Sequence, residues 1–210
     1  MTYKNHVFIA EHEFINYINS RKKYNSMNSN IKSFLNELFN FDLKEHTIYA
    51  KKFGENYKPD IAIHCNGITR YVSIKTGSSN SIHQEHLYSF LNFLQNMGAS
   101  QEKILIIKEF QFNDKTTDGS GSMRKSAIDY QIEHQEKIQK LNNFFNNEFI
   151  AQKMIDRLLF SGEYFNIPKV DYIYHGNLEN GHWACRNDIL KYLLSKKIHS
   201  ASPHVSKLYY

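Results

Sequence analysis

Two residues in the stretch 57–77, YKPDIAIHCNGITRYVSIKTG, are out of place in a plain hairpin: Asp60 follows a proline, and Lys75 closes an apolar run. Asn66-Gly67 between two alternating runs is a strong signal for a two-residue turn. With those residues as the turn, Asp60 faces Ser73 across the strands, Cβ atoms roughly 5 Å apart, and Lys75 is the diagonal neighbour at about 7–8 Å. Alternation sends Ile61, Ile63, Cys65, Val72 and Ile74 to the opposite, core-facing side. A carboxylate, a hydroxyl and an ammonium thereby converge on one spot, a grouping suited to a cradle for a metal ion and a lysine.

Pro59-Asp60, followed across a hairpin by Ser73-Ile74-Lys75, resembles the motif of the PD-(D/E)xK nuclease superfamily. The order helix, three strands, helix, strand around it resembles that superfamily's core over roughly residues 5–110. The resemblance implies that Asp60 ligates a divalent metal, that the carbonyl of Ile74 is a further ligand, and that Lys75 orients or helps deprotonate the attacking water. The implied cofactor is Mg2+, with Mn2+ able to substitute. Phosphodiester hydrolysis needs a cation that neutralises developing charge and lowers the pKa of water. Magnesium takes oxygen ligands and keeps several waters, so one or two carboxylates suffice.

The family's usual second carboxylate would stand at position 73, where this chain has Ser73. Some type II restriction enzymes share that serine and take the missing carboxylate from the following helix. Here Glu85 is offered, closer to Lys75 in sequence than that relocation would place it. Gln84 with Tyr88 forms a Q-x-x-x-Y spacing that resembles the exonuclease branch of the superfamily. Glu11 is the rival, because it sits amid the apolar face of the first helix, where an unpaired carboxylate is costly. The superfamily often lends a glutamate from that helix.

Plainer roles compete for each residue. Ser81 and Gln84 match a capping box, and Glu85 in a first turn suits the helix dipole. Glu11 could pair with a Lys or Arg, and Glu37 flanks the second helix as a weaker candidate. Asp60 could be a turn residue after proline, and Lys75 a snorkelling strand end. Their shared face favours chemistry for that last pair.

The elements that must position these groups follow from periodicity. Val7, Phe14, Ile15 and Ile18 predict a helix over 7–18, and Ile31, Phe34, Leu35 and Leu38 another over 29–40. A strand over 47–53 precedes the hairpin. Leu87, Phe90, Leu91 and Leu94 stripe a helix over 82–97 that ends at Gly98. The apolar run 103–110, KILIIKEF, reads as an internal strand, and 111–127 as a loop. A helical region over 128–161, a strand over 169–176, a helix over 187–197 and a strand-like alternation in HVSKLYY at 204–210 complete the chain. The expected fold class is α/β (α+β): a restriction-endonuclease-like core, its central mixed sheet flanked by helices in the order αβββαβ. A mostly helical C-terminal extension follows. One domain over 1–210 is expected, with the nuclease core at about 5–110 and a recognition and dimerisation extension at about 111–210.

The remaining signals bound the function. A net charge of +5 is a mild hint of a polyanionic partner. Basic clusters at Arg21-Lys22-Lys23, Lys51-Lys52 and Arg124-Lys125 could touch phosphates. The last closes a loop whose Ser120 and Ser122, with Arg124 and Lys125, suit DNA contact, Arg124 reading a guanine edge. His182, Cys185, His199 and His204 have a superficially zinc-like spacing, of a kind that arises by chance among 11 histidines. His83 and His86 could contact phosphate. No Walker A loop, G-x-G-x-x-G or G-x-S-x-G is present, which disfavours NTPase, dinucleotide and serine-hydrolase readings. Two cysteines and no membrane-length apolar run predict a reducing cytoplasm and no membrane. The expected protein is therefore a homodimeric, Mg-dependent endonuclease of double-stranded DNA, most like a type II restriction enzyme. The alternatives are another nuclease of the superfamily (resolvase, repair enzyme or exonuclease) or an inactive DNA-binding protein on the same fold.

Overall fold

The computed structural model describes residues 4–54, 57–76, 85–163 and 168–199. The chain divides into two compact units, Met1–His83 with Asp156–Leu190, and Gln84–Ile155 with Lys191–Tyr210. The first holds a mixed five-stranded sheet; the second is helical in its described residues.

In the sheet unit, helix α1 (Lys4–Arg21) and helix α2 (Ser29–Phe39) precede strand β1 (Ile48–Lys52). Asn28 caps α2 by accepting a hydrogen bond from the Ile31 N–H. The expected stripe of α2 is buried: Ile31, Phe34, Leu35 and Leu38 all face inward. Strands β2 (Ile61–Cys65) and β3 (Ile68–Lys75) form the hairpin. Both turn residues have positive φ, 48° at Asn66 and 76° at Gly67, a conformation glycine adopts freely and asparagine tolerates. The pairing of Ile61 with Val72 and of Cys65 with Ile68 is the expected register.

The sheet is completed by β4 (Tyr172–Gly176), parallel to β3, and β5 (Gly181–Cys185), antiparallel to β4, in the order β1-β2-β3-β4-β5. Helices α1 and α2 pack on one face of this sheet, and their apolar stripes meet Ile48, Ala50, Ile61, Ile63, Val72 and Ile74. Phe14 and Phe34 each stand edge-on to the Tyr174 ring, with centroids 5.0 Å away. The Tyr174 hydroxyl donates to the Asn177 carbonyl and accepts from the Asn30 amide, both at 2.7 Å. β5 was not anticipated from the sequence; its burial pattern lacks the alternation that marks a half-buried strand.

The helical unit corrects one expectation. Residues 103–110 are not a strand but lie within helix α4 (Gln101–Phe112), after helix α3 (Leu87–Asn96). Ile104, Ile107 and Phe110 are buried at helical spacing, and the Ser100 side chain caps the first turn. A short apolar run cannot separate a buried strand from a buried helix, and length and caps decide it here. The expected core therefore does not close at 103–110; the strand beside β3 comes from 172–176. Helices α5 (Ala127–Glu133), α6 (Gln135–Phe145) and α7 (Glu148–Asp156) fill most of the predicted helical region, and α8 (Arg186–His199) follows β5. The strand-like alternation at 204–210 lies outside the described residues. No helix among the described residues is long and apolar enough to cross a membrane.

One test of this packing is Gly181→Ala, whose Cβ would collide with the Tyr174 phenol ring and hydroxyl. Overpacking against a buried aromatic group should lower the unfolding free energy by roughly 1–3 kcal/mol in urea titrations. A variant as stable as the parent would contradict the pairing of β4 with β5.

Candidate active site

The hairpin delivers the predicted convergence. Asp60 lies one residue before β2, and its backbone N–H donates to the Val72 carbonyl at 3.0 Å, one residue out of the register that pairs Val72 with Ile61. The Oδ2 atom of Asp60 accepts hydrogen bonds from the Ser73 hydroxyl at 2.8 Å and from the Ile74 N–H at 2.6 Å. The ammonium of Lys75 stands 3.6 Å from the same oxygen. Ser73 is fully buried, whereas the Lys75 and Asp60 side chains keep 27% and 19% of their surface exposed. The site is thus rigid at its base and open at its mouth.

Ile74 has a second consequence. In an extended strand the N–H and C=O of one residue point to the same edge. The Ile74 N–H points at the Asp60 carboxylate, so its carbonyl faces that same edge, where β2 has not yet begun. This is the direction expected for a carbonyl ligand beside Asp60.

Glu11 joins the group from α1. It is 8% exposed, on the face that also buries Phe14, Ile15 and Ile18, and makes no hydrogen bond or ion pair with a described residue. The competing salt-bridge role is therefore not observed. Burial, reinforced by the negative charge of Asp60, pushes its carboxyl up to about 7, against the opposing pull of Lys52 and Lys75. The same interactions show that Glu11, Asp60, Lys52 and Lys75 share one electrostatic neighbourhood. Lys52, at the end of β1, was read from the sequence only as half of a basic pair. Its pairing opposite Ile61, next to Asp60, is what brings it to the site.

The other candidates belong to other elements. Glu85 belongs to the helical unit, and α3 begins at Leu87 with His86 as its N-cap, so Glu85 precedes the helix instead of lying in its first turn. Gln84, Ser81 and His83 lie outside the described residues. Tyr88 is exposed, with the Lys108 ammonium 5.3 Å from its ring centre. In the loop 113–126, the Ser120 hydroxyl donates to Asp118 at 2.7 Å and Lys125 is bound to Glu133. Ser122 and Arg124 are exposed. Of the zinc-like set, His182 and Cys185 lie on β5, and the Cys185 thiol donates to Asp188 at 3.1 Å. Among the described residues, no group of three His, Cys, Asp or Glu side chains gathers closely enough to hold a metal by itself. The candidate donors at the hairpin are instead two carboxylates and a main-chain carbonyl.

The chain matches no known family model and no curated protein sequence.

The raised carboxyl of Glu11 fixes a pH signature. In the unfolded chain it would ionise near the ordinary glutamate value of 4.5, in the folded protein at about 7. Its contribution to stability is therefore complete below about pH 4.5 and is lost as pH rises through about 7. In chelator-treated protein, Glu11→Gln should gain about 2–3 kcal/mol relative to wild type between about pH 5 and about pH 8. Denaturant titrations at the two pH values measure the change, and a constant difference would remove this account of Glu11.

Proposed function

We propose that this protein is a metal-dependent endonuclease of double-stranded DNA on a PD-(D/E)xK core, most like a type II restriction enzyme. One observation carries the reading: Asp60 and Lys75 lie 3.6 Å apart over a buried Ser73, at the end of a hairpin with the expected register. The order α1, β1-β2-β3, helices, β4 supports it, since β4 supplies the strand that the αβββαβ pattern requires after the helix.

The donor set suits Mg2+, a hard cation that prefers oxygen. Asp60 Oδ1 accepts no hydrogen bond from a described residue, Glu11 presents a buried carboxylate with no hydrogen-bond or ion-pair partner among the described residues, and the Ile74 carbonyl faces the same edge. These three would hold the cation, with Mn2+ able to replace it. The bound ion would supply positive charge to the phosphate and lower the pKa of a water. The chain does the rest. Ser73 and the Ile74 N–H fix the Asp60 carboxylate, so that it needs no reorganisation when the substrate arrives. Lys75, anchored beside Asp60 and still partly exposed, orients the attacking water and stabilises the charge that develops on the phosphate. Glu11 takes the role of the carboxylate missing at Ser73. The net charge of +5 favours approach of a polyanion. Cleavage of both strands calls for two such sites related by a twofold axis.

Asp60→Ala and Lys75→Ala should each reduce plasmid cleavage in Mg2+ by roughly 10³-fold or more, while leaving thermal unfolding and DNA binding near wild type. Glu11→Ala should reduce cleavage to a similar extent, and Glu85→Ala should not. Linear duplex, supercoiled plasmid and branched DNA as substrates distinguish a restriction enzyme from a resolvase or repair nuclease. Wild-type protein that binds DNA yet never nicks it with Mg2+ or Mn2+ would instead be a binding module that lost the chemistry.

A further inference from the structure

The sheet unit carries a second group of side chains on the face that holds Ser73 and Lys75. Alternation along β1 puts Tyr49 and Lys51 on that face, opposite His64 and Ala62 of β2. The Tyr49 ring lies on the His64 imidazole, with centroids 4.6 Å apart and planes 20° apart. His64 is held in turn by the Thr69 hydroxyl, 2.7 Å from Nδ1. Burial and the charge of Lys51 keep its ring below the usual histidine range, so the imidazole beside Tyr49 is neutral at pH 7. Because β1 is an edge of the sheet, the phenol has a ring on its inner side and no strand of the sheet on its outer side. Tyr49 is 48% exposed, and His64 is its one ring partner among the described residues.

Lysines flank this platform on the same face. Lys51 is exposed two residues along β1, between Tyr49 and the Asp60 end of the hairpin. Lys23 pairs with Thr47 in an antiparallel bridge, which sets its side chain on the face of Thr47 and Tyr49. Tyr49 is then its diagonal neighbour, about 7–8 Å away. Neither lysine forms an ion pair with a described residue, and the exposed Lys44 and Glu45 before β1 offset each other. At roughly 3.4 Å per residue, Lys51 stands about 7 Å and Tyr49 about 14 Å along the sheet from Asp60. A line of cation, aromatic ring and cation thus leads away from the candidate active site.

The edge of β1 cannot take a peptide strand here. The Asn19 side chain bonds the Ala50 N–H at 2.9 Å and its carbonyl at 2.8 Å, and the Ile48 N–H donates to the Lys22 carbonyl. An aromatic face open on one side, between cations without counter-charges, suits a chain of flat rings joined by phosphates. Within a duplex each base is already stacked on its neighbours, so the ring free to stack on Tyr49 is that of an unpaired nucleotide.

We infer that this line is a track for an unpaired segment of DNA, in which a base stacks on Tyr49 while Lys23 and Lys51 bind the phosphates on either side. About four nucleotides of stacked strand, at about 3.4 Å each, reach from Tyr49 to Asp60. The substrate of the hairpin is then a duplex with one strand unpaired a few nucleotides from the cut. This deepens the nuclease reading and rests on it for the strand that is cut. It is measured by binding alone, without metal, so its failure and the failure of that reading are separate results.

Fluorescence anisotropy of the full chain with a labelled oligothymidine of about 12 nucleotides, chelator present, tests it. Tyr49→Ala should weaken binding about tenfold or more and Tyr49→Trp should keep it, with Tm near wild type in both because the side chain is half exposed. Lys23→Gln and Lys51→Gln should each weaken it about 3–10-fold and flatten the slope of log K against log salt by about 0.7. A blunt duplex of the same length should show the lysine effects but not the tyrosine effect. A wild type that does not bind the oligothymidine, a Tyr49→Ala variant that binds it as before, an equal tyrosine effect on the blunt duplex, or lysine variants with unchanged salt slopes would overturn the proposal.

Discussion

Every chemical feature of the sheet unit depends on how one carboxylate oxygen is held. Oδ2 of Asp60 receives a hydroxyl, a main-chain N–H and the approach of an ammonium, all from three consecutive residues of β3. Successive strand residues point to opposite faces, so Ser73 and Lys75 share a face while Ile74 offers only its backbone. That combination exists in a single register. A slip by one residue would carry Asp60 to the core face and replace its partners with the side chains of Val72 and Ile74. The Asn66-Gly67 turn prevents the slip, since both residues take the left-handed conformation that a two-residue turn needs.

The second constraint works against stability. A buried carboxylate without a partner is one of the costlier features a small core can carry, and Glu11, with none among the described residues, sits on the face of α1 that supplies Phe14, Ile15 and Ile18 to the interior. The unit tolerates it because the rest of that interior is unusually aromatic and well tied. Phe14, Phe34, Trp183 and Tyr174 form one connected cluster, and the Trp183 N–H donates to Glu37 at 2.7 Å. Glu37, set aside as a weak metal candidate, is thereby a structural acceptor. Glu11 has no comparable partner among the described residues, which is the physical reason to connect it with chemistry.

The hairpin was legible in the sequence because its signals are local. A two-residue turn fixes pairing by counting outward, and alternation then assigns every face, so Asp60, Ser73 and Lys75 could be placed before any coordinates. Glu11 was legible as an anomaly, a charge amid an apolar stripe, but its neighbours were not, because they come from β1 and from the hairpin. Lys52 was missed for the same reason. KILIIKEF failed because its isoleucines satisfy a strand and a helix equally, and the deciding residues, Ser100 and Asn113, lie outside the run. Reading it as the closing strand also placed the end of the core too early. β4 is separated from β3 by nearly a hundred residues of chain, a distance over which no local pattern can assign pairing.

The serine at position 73 is then less a defect than a division of labour. A carboxylate there would be buried within hydrogen-bond reach of Asp60, two anions repelling each other. Ser73 supplies a donor to Asp60 instead, which strengthens the anchoring of Oδ2. The second negative charge arrives from α1, on a different element and at a depth where desolvation has already raised its proton affinity. Such a pair is poorly satisfied alone, because Lys52 and Lys75 only partly offset the burial of Glu11 and its repulsion by Asp60. A divalent cation held by Asp60 and Glu11 would relieve both terms at once.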